Sequence, residues 1–190
     1  MTMIDDPNAI ILNSMLQEAA NRWDISENQI MENMNKIAFH ESKLDPSAIQ
    51  KVYPETAEDG STVWGIGKGK GLFQFESGEN QGAHTAITRL ITELGFEPEF
   101  LKGIADSNYD VSNLTPEQQQ MIFLGNLMQM PHKGDAEGRV PANFAGVDTN
   151  EELANYWAQY HQAGTELGTP EYESMLDKFT EDVEYYNNKK

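Results

Sequence analysis

Apolar positions recur at three- and four-residue spacing along most of this chain. Ile11, Met15, Leu16, Ala19 and Trp23 form such a stripe and predict an amphipathic helix over residues 8 to 23. Ser26 and Gln29 make a capping-box pattern ahead of Ile30, Met34, Ile37 and Ala38, so a second helix is expected from Ser26. It should stop before Pro46, because the residue preceding a proline disfavours helical geometry. The pattern returns at His84 to Leu94, weakly at Glu97 to Ile104, and again after Thr115-Pro116-Glu117-Gln118, which reads as N-cap, first-turn proline and capping glutamine. That helix carries Ile122, Phe123, Leu127 and Met130 to Pro131. Thr149-Asn150-Glu151-Glu152 caps a helix through Tyr160 to Gly164, and Thr169-Pro170 opens a last one whose polar end, Asn187 to Lys190, should fray.

Between residues 50 and 82 the periodicity lapses. Pro54 and seven glycines from Gly60 to Gly82 predict a loop, compatible with a short β-hairpin around Ser61 to Ile66 and a helical turn at Leu72 to Phe75. A second glycine- and proline-containing loop is expected over 131 to 148. The pattern predicts one mainly α domain over 1–190: an N-terminal helix in 1–24, a core in 25–165, and a C-terminal helix and tail in 166–190.

Composition narrows the chemistry. The chain has no cysteine, which removes disulfides, thiolate catalysis and cysteine-ligated metals. Its 31 acids against 13 bases give a net charge of −18, which disfavours nucleic acid and anionic membrane surfaces as partners. No apolar stretch approaches membrane-spanning length, and Met1 to Asp6 lacks the features of a signal peptide. The four histidines show no metal-ligand spacing; His40-Glu41-Ser42-Lys43-Leu44 lacks the second histidine of a zinc-binding H-E-x-x-H. Gly65 to Gly71 is glycine-rich without a phosphate-loop pattern, and reads as a loop bordering a cleft in which Lys68 and Lys70 meet anions. No cofactor is expected.

Glu41 is the candidate acid. It follows Ile37, Ala38 and Phe39 at a helix end, and a carboxyl group at the edge of apolar surroundings can hold its proton long enough to donate it. Asp45, Glu76 and Glu79 are candidates for a second carboxylate, each equally explained as a solvated loop acid. Trp64, Phe73, Phe75, Tyr156, Trp157 and Tyr160 offer sugar-stacking faces, although the last three, at helical spacing, fit a core better.

Glu41-Ser42, Pro46 and Ala48, then Gly71-Leu72-Phe73-Gln74, then Tyr160-His161-Gln162-Ala163-Gly164 follow the order of motifs in the lytic transglycosylases, the goose-type lysozyme-like enzymes that cleave peptidoglycan. The chain resembles that family over roughly residues 30 to 164; its third element departs, with Gln162 where the family has asparagine and His161 where it has tyrosine, unless Tyr160 supplies the phenol after a one-residue shift. The resemblance implies a lysozyme-like fold and cleavage of the MurNAc–GlcNAc β-1,4 bond by Glu41 as sole acid and base. Ser42 would then hold the carboxyl group or the substrate, and Gln74, Phe75, Tyr160, His161 and Gln162 would contact the glycan. The stretch Gly-Leu-Phe-Gln-Phe-Glu is similar to phage virion-associated members, which implies delivery to the periplasm and cell wall with other virion or tail proteins as partners. A hydrolytic muramidase and a structural virion component without turnover are the alternatives.

Overall fold

The structure is a computed structural model that describes residues 6–56, 59–60, 62–76, 82–103, 110–129, 143–160 and 167–189; for 51–56, 62–67 and 102–103 it describes the backbone alone. Helix α1 (Pro7–Trp23) starts where the Asp6 side chain accepts from the Asn8 amide, and it buries Leu12, Met15, Leu16, Ala19 and Trp23. Helix α2 (Glu27–Ser42) starts at Ser26, whose hydroxyl accepts from the Gln29 amide at 3.1 Å. It ends on a left-handed pair, Lys43 at φ 56° and Leu44 at φ 66°, whose amides return to the carbonyls of Phe39 and Ala38. The cap, not Pro46, sets the stop.

Helix α3 spans Gly82–Thr92, α4 Pro116–Gln129, α5 Asn150–Tyr160 and α6 Pro170–Lys189. Two of the predicted capping boxes form, Gln118 accepting from the Thr115 amide at 3.0 Å and Glu152 from the Thr149 amide at 2.8 Å; at Ser26 only the N-cap half forms, because the Gln29 side chain donates to Asn33 at 2.9 Å. Glu97 to Ile104 yields only a 3-10 turn at Glu99–Gly103. The end of α6 departs from the fraying expected, because Tyr186 is buried and tilts against Phe39 at 5.5 Å, while Lys189 lies 5.2 Å over the Tyr185 ring. Those contacts carry the helix to Lys189.

Residues 50 to 82 hold the main correction. Where the sequence predicts loop with at most a short β-hairpin around Ser61 to Ile66, the chain forms a longer antiparallel three-stranded sheet, ordered β1 (Ile49–Thr56), β2 (Thr62–Lys70), β3 (Phe75–Glu76). β2 is therefore strand where a cleft-bordering loop was expected. Its Gly65, Gly67 and Gly69 weaken any strand signal read from composition. Pro54 is accommodated because β1 is an edge strand, and irregular pairing flanks it on the Ile49 side.

One contiguous cluster of buried residues draws on all six helices. α4 packs on α1 and α3, and α6 on α2 and α5. At the α3–α4 crossing a Cβ on Gly125 would lie 2.3 Å from a Leu90 methyl, so only glycine allows this approach. Phe73 stacks on Phe123 at 4.1 Å, and Phe144 joins Phe123 to Tyr156 and Trp23. Burial of each such ring contributes about 2 kcal/mol. Among the described residues no helix is long and apolar enough to cross a membrane.

Candidate active site around Glu41

Glu41 sits in the last turn of α2, one residue before the helix end. Helix α5 runs opposite and presents Trp157, whose indole Nε1 donates to Glu41 Oε1 at 2.6 Å. Burial pushes the Glu41 carboxyl above the ordinary glutamate range. The Trp157 hydrogen bond and the charges of Lys178 and Lys43 pull the other way without cancelling it. Glu41 as a residue is half-buried rather than sealed in the core. Among the described residues only Trp157 bonds this carboxyl, which leaves Oε2 to carry and deliver the proton.

Trp157 was expected in the core, and it is 2% exposed. It also performs the role expected of Ser42. The Ser42 hydroxyl instead donates to the Ala38 carbonyl at 2.8 Å, a local bond that closes the end of the helix. Indole N–H groups seek a partner when buried, so a tryptophan on a helix facing the acid was the signal available in the sequence.

Trp157 is held on its far side by His40, edge-on at 4.3 Å, and by Phe179, stacked at 5.1 Å. His40 Nδ1 approaches Asp182 Oδ2 at 2.8 Å without the alignment of a formed hydrogen bond, and Lys43 pairs with the same carboxylate. Burial is the main cause that takes the His40 pKa from 6.5 down to about 4; Asp182 opposes it and Lys43 adds to it. The unfolded chain therefore accepts a proton that the folded one refuses. This contribution to stability is complete above pH 6.5 and is lost as the pH falls towards 4. The window is worth about 3 kcal/mol. In urea unfolding, His40→Gln is expected to lose markedly less stability than the wild type between pH 7 and pH 4.5; equal losses would remove His40 as the cause.

The two predicted motifs meet in space. The Gly71 amide donates to the Ala48 carbonyl at 2.8 Å, joining the segment after Glu41 to the turn that carries Gln74. Gln119 of α4 completes the joint. Its Oε1 accepts from the Leu72 amide at 2.7 Å, while Nε2 donates to the Pro46 carbonyl at 3.0 Å and the Leu114 carbonyl at 3.1 Å. Gly71 has φ +76°, and a Cβ there would lie 2.3 Å from Gln119 Oε1, so glycine is required twice over. Gln119 has no counterpart in the sequence reading. Its helical phase, three and four residues before Ile122 and Phe123, marks it as inward-facing.

Gln74 lies in the left-handed region at φ 50°, with its amide Nε2 donating to the Gly71 carbonyl at 2.8 Å. Phe75, expected against substrate, is 7% exposed and packs edge-on to Phe73 and Phe123. It belongs to the core because β3 turns it inward. Tyr160 is partly buried and tilts against Tyr156 at 5.6 Å, so it adjoins the core at the end of α5. His161 and Gln162 lie outside the described residues, as do Glu79, His132 and the side chain of Trp64.

Of the other acids, Asp45 is exposed and accepts from the Ser47 amide and hydroxyl, bonds that hold its carboxyl below the usual range. Glu76 is exposed at the end of β3. Lys70, read as an anion contact, pairs with Asp110. The charges acting on Glu41 are those of the two lysines, Lys178 and Lys43. The site is thus a proton-holding carboxyl at a helix end, braced by one indole and set beside two cations. No protein-family model, no curated protein and no solved structure matches the chain.

Proposed function

We propose that this protein is a peptidoglycan lytic transglycosylase of goose-type lysozyme-like fold, with Glu41 as its sole acid and base. The observation that carries the reading is the Glu41 carboxyl, raised by burial and aligned by Trp157, on the segment that Gly71 and Gln119 tie to the Gln74 turn. In this reading Glu41 protonates the bridging oxygen of the MurNAc–GlcNAc bond as that bond breaks. The acetamido oxygen of the muramic residue stabilises the positive charge that develops at its anomeric carbon. The carboxylate left behind then removes the proton of the muramic 6-hydroxyl as that oxygen attacks the same carbon. The outcome is a 1,6-anhydro ring and a regenerated acid.

A single carboxyl flanked by lysines suits this cycle, because the cations steady the carboxylate between the two proton transfers. Acidity across the chain, net −18, opposes free diffusion onto an anionic wall, and we assign delivery to a larger assembly such as a virion. Digestion of purified peptidoglycan followed by mass spectrometry of the released muropeptides tests the proposal. Anhydro-muropeptides are expected. Reducing ends would make the enzyme a hydrolytic muramidase, and no release from intact or fragmented wall would leave a structural virion component.

A further inference from the structure

A cavity of about 500 Å³ opens beside Trp157, between α5, α6 and the end of α2. Its wall includes Trp157, His40, Ser174, Met175 and Lys178. Among the described residues no acid pairs with Lys178. Glu171, the acid of the same wall, is seven positions earlier on α6, about two turns or roughly 10 Å along the axis, too far to neutralise it. Burial disfavours the charged form of Glu41, which feels the Lys178 charge, and His40 is neutral near pH 7. Asp182, one turn further along α6, is engaged by Lys43 and His40, so the cavity presents an ammonium with no ion pair among the described residues, a serine hydroxyl, an indole and a thioether.

We propose that this cavity receives the peptide arm of the substrate, with Lys178 binding a carboxylate of that peptide and Trp157 and Met175 packing on its aliphatic part. The inference rests on the peptidoglycan reading, and it assigns the peptide a site sharing a wall with the reacting acid. Trp157 is common to both. A carboxylate seated on Lys178 also cancels the field that this lysine exerts on Glu41, so the bound substrate helps the acid keep its proton.

The test compares glycan oligomers bearing stem peptides with free carboxylates against the same oligomers after their peptide carboxyls have been converted to amides. The wild type is expected to favour the carboxylate form about tenfold in kcat/KM. Lys178→Gln and Lys178→Glu should bring that preference to one or below, while Lys178→Arg keeps most of it. Taking the ratio of the two substrates removes the effect of Lys178 on Glu41 in the free enzyme, which is common to both. Lys178 is exposed, so the variants are expected to fold. A wild type that cleaves both forms equally, or a preference that survives Lys178→Gln, would overturn the peptide site and leave the transglycosylase reading standing. Cleavage of neither form would overturn both.

Discussion

Glu41→Gln is expected to lower kcat on peptidoglycan by about 10³-fold or more, with little change in KM, because an amide has no proton to give and no charge with which to take one back. The substitution keeps the shape of the side chain, so the loss is chemical and not structural. Stability provides the control. Glu41 is a weaker acid in the folded protein, so the folded state binds its proton more tightly than the unfolded chain. Its contribution to stability is complete below the ordinary glutamate range and is lost as the pH rises past it. Above the ordinary glutamate range folding thus opposes ionisation of this acid, a cost that glutamine lacks, and the Glu41→Gln protein should melt at or above the wild-type temperature. Each tenfold change in the acid constant is worth about 1.4 kcal/mol, which for a chain of this length is about 3–6 °C. An inactive variant that melted well below the wild type would point to structural damage; equal activity would remove Glu41 from the reaction.

The second large effect belongs to Gln119. It is fully buried, and its three hydrogen bonds are the joint between the Pro46 segment, the Leu72 turn and the start of α4. Gln119→Leu keeps the bulk but leaves one amide and two carbonyls without that partner. Each group stranded away from water costs about 1–3 kcal/mol. A loss of roughly 4 kcal/mol, or about 10 °C in melting temperature, is expected. The neighbour supplies the comparison. Gln120 makes only a long contact of 3.4 Å to Asn35, so Gln120→Leu should change stability by less than about 0.5 kcal/mol. If differential scanning calorimetry placed the two variants within a degree of each other, Gln119 would not be the joint. Surviving Gln119→Leu protein should also lose activity, because the turn carrying Gln74 is no longer tied to the segment after Glu41.

These residues show where the sequence was readable. Helix starts were legible because Ser26, Thr115, Thr149 and Thr169 act within one turn, and each acts in the structure as the pattern implies. The sheet was legible only as a short hairpin around Ser61 to Ile66, because Pro54 and the glycines of β2 mask the strand signal of its neighbouring strands. The acid itself was legible from the apolar run before it. Its brace was not: Trp157 lies 116 positions away, and helical spacing marks it as core, which it also is. Phe75 shows the reverse error. Next to a motif glutamine it suggested a sugar contact, but alternation along β3 carries it inward onto Phe123.

The account depends most on Glu41 keeping its proton at a pH where ordinary glutamates have lost theirs. Carbon NMR of protein labelled at the glutamate carboxyls reads this directly, with the Glu41→Gln spectrum identifying the resonance. The account predicts a titration midpoint for Glu41 above those of the exposed glutamates, rising further in Trp157→Phe, where the hydrogen bond that favours the carboxylate is gone. A Glu41 midpoint within or below the range of the other glutamates would contradict it.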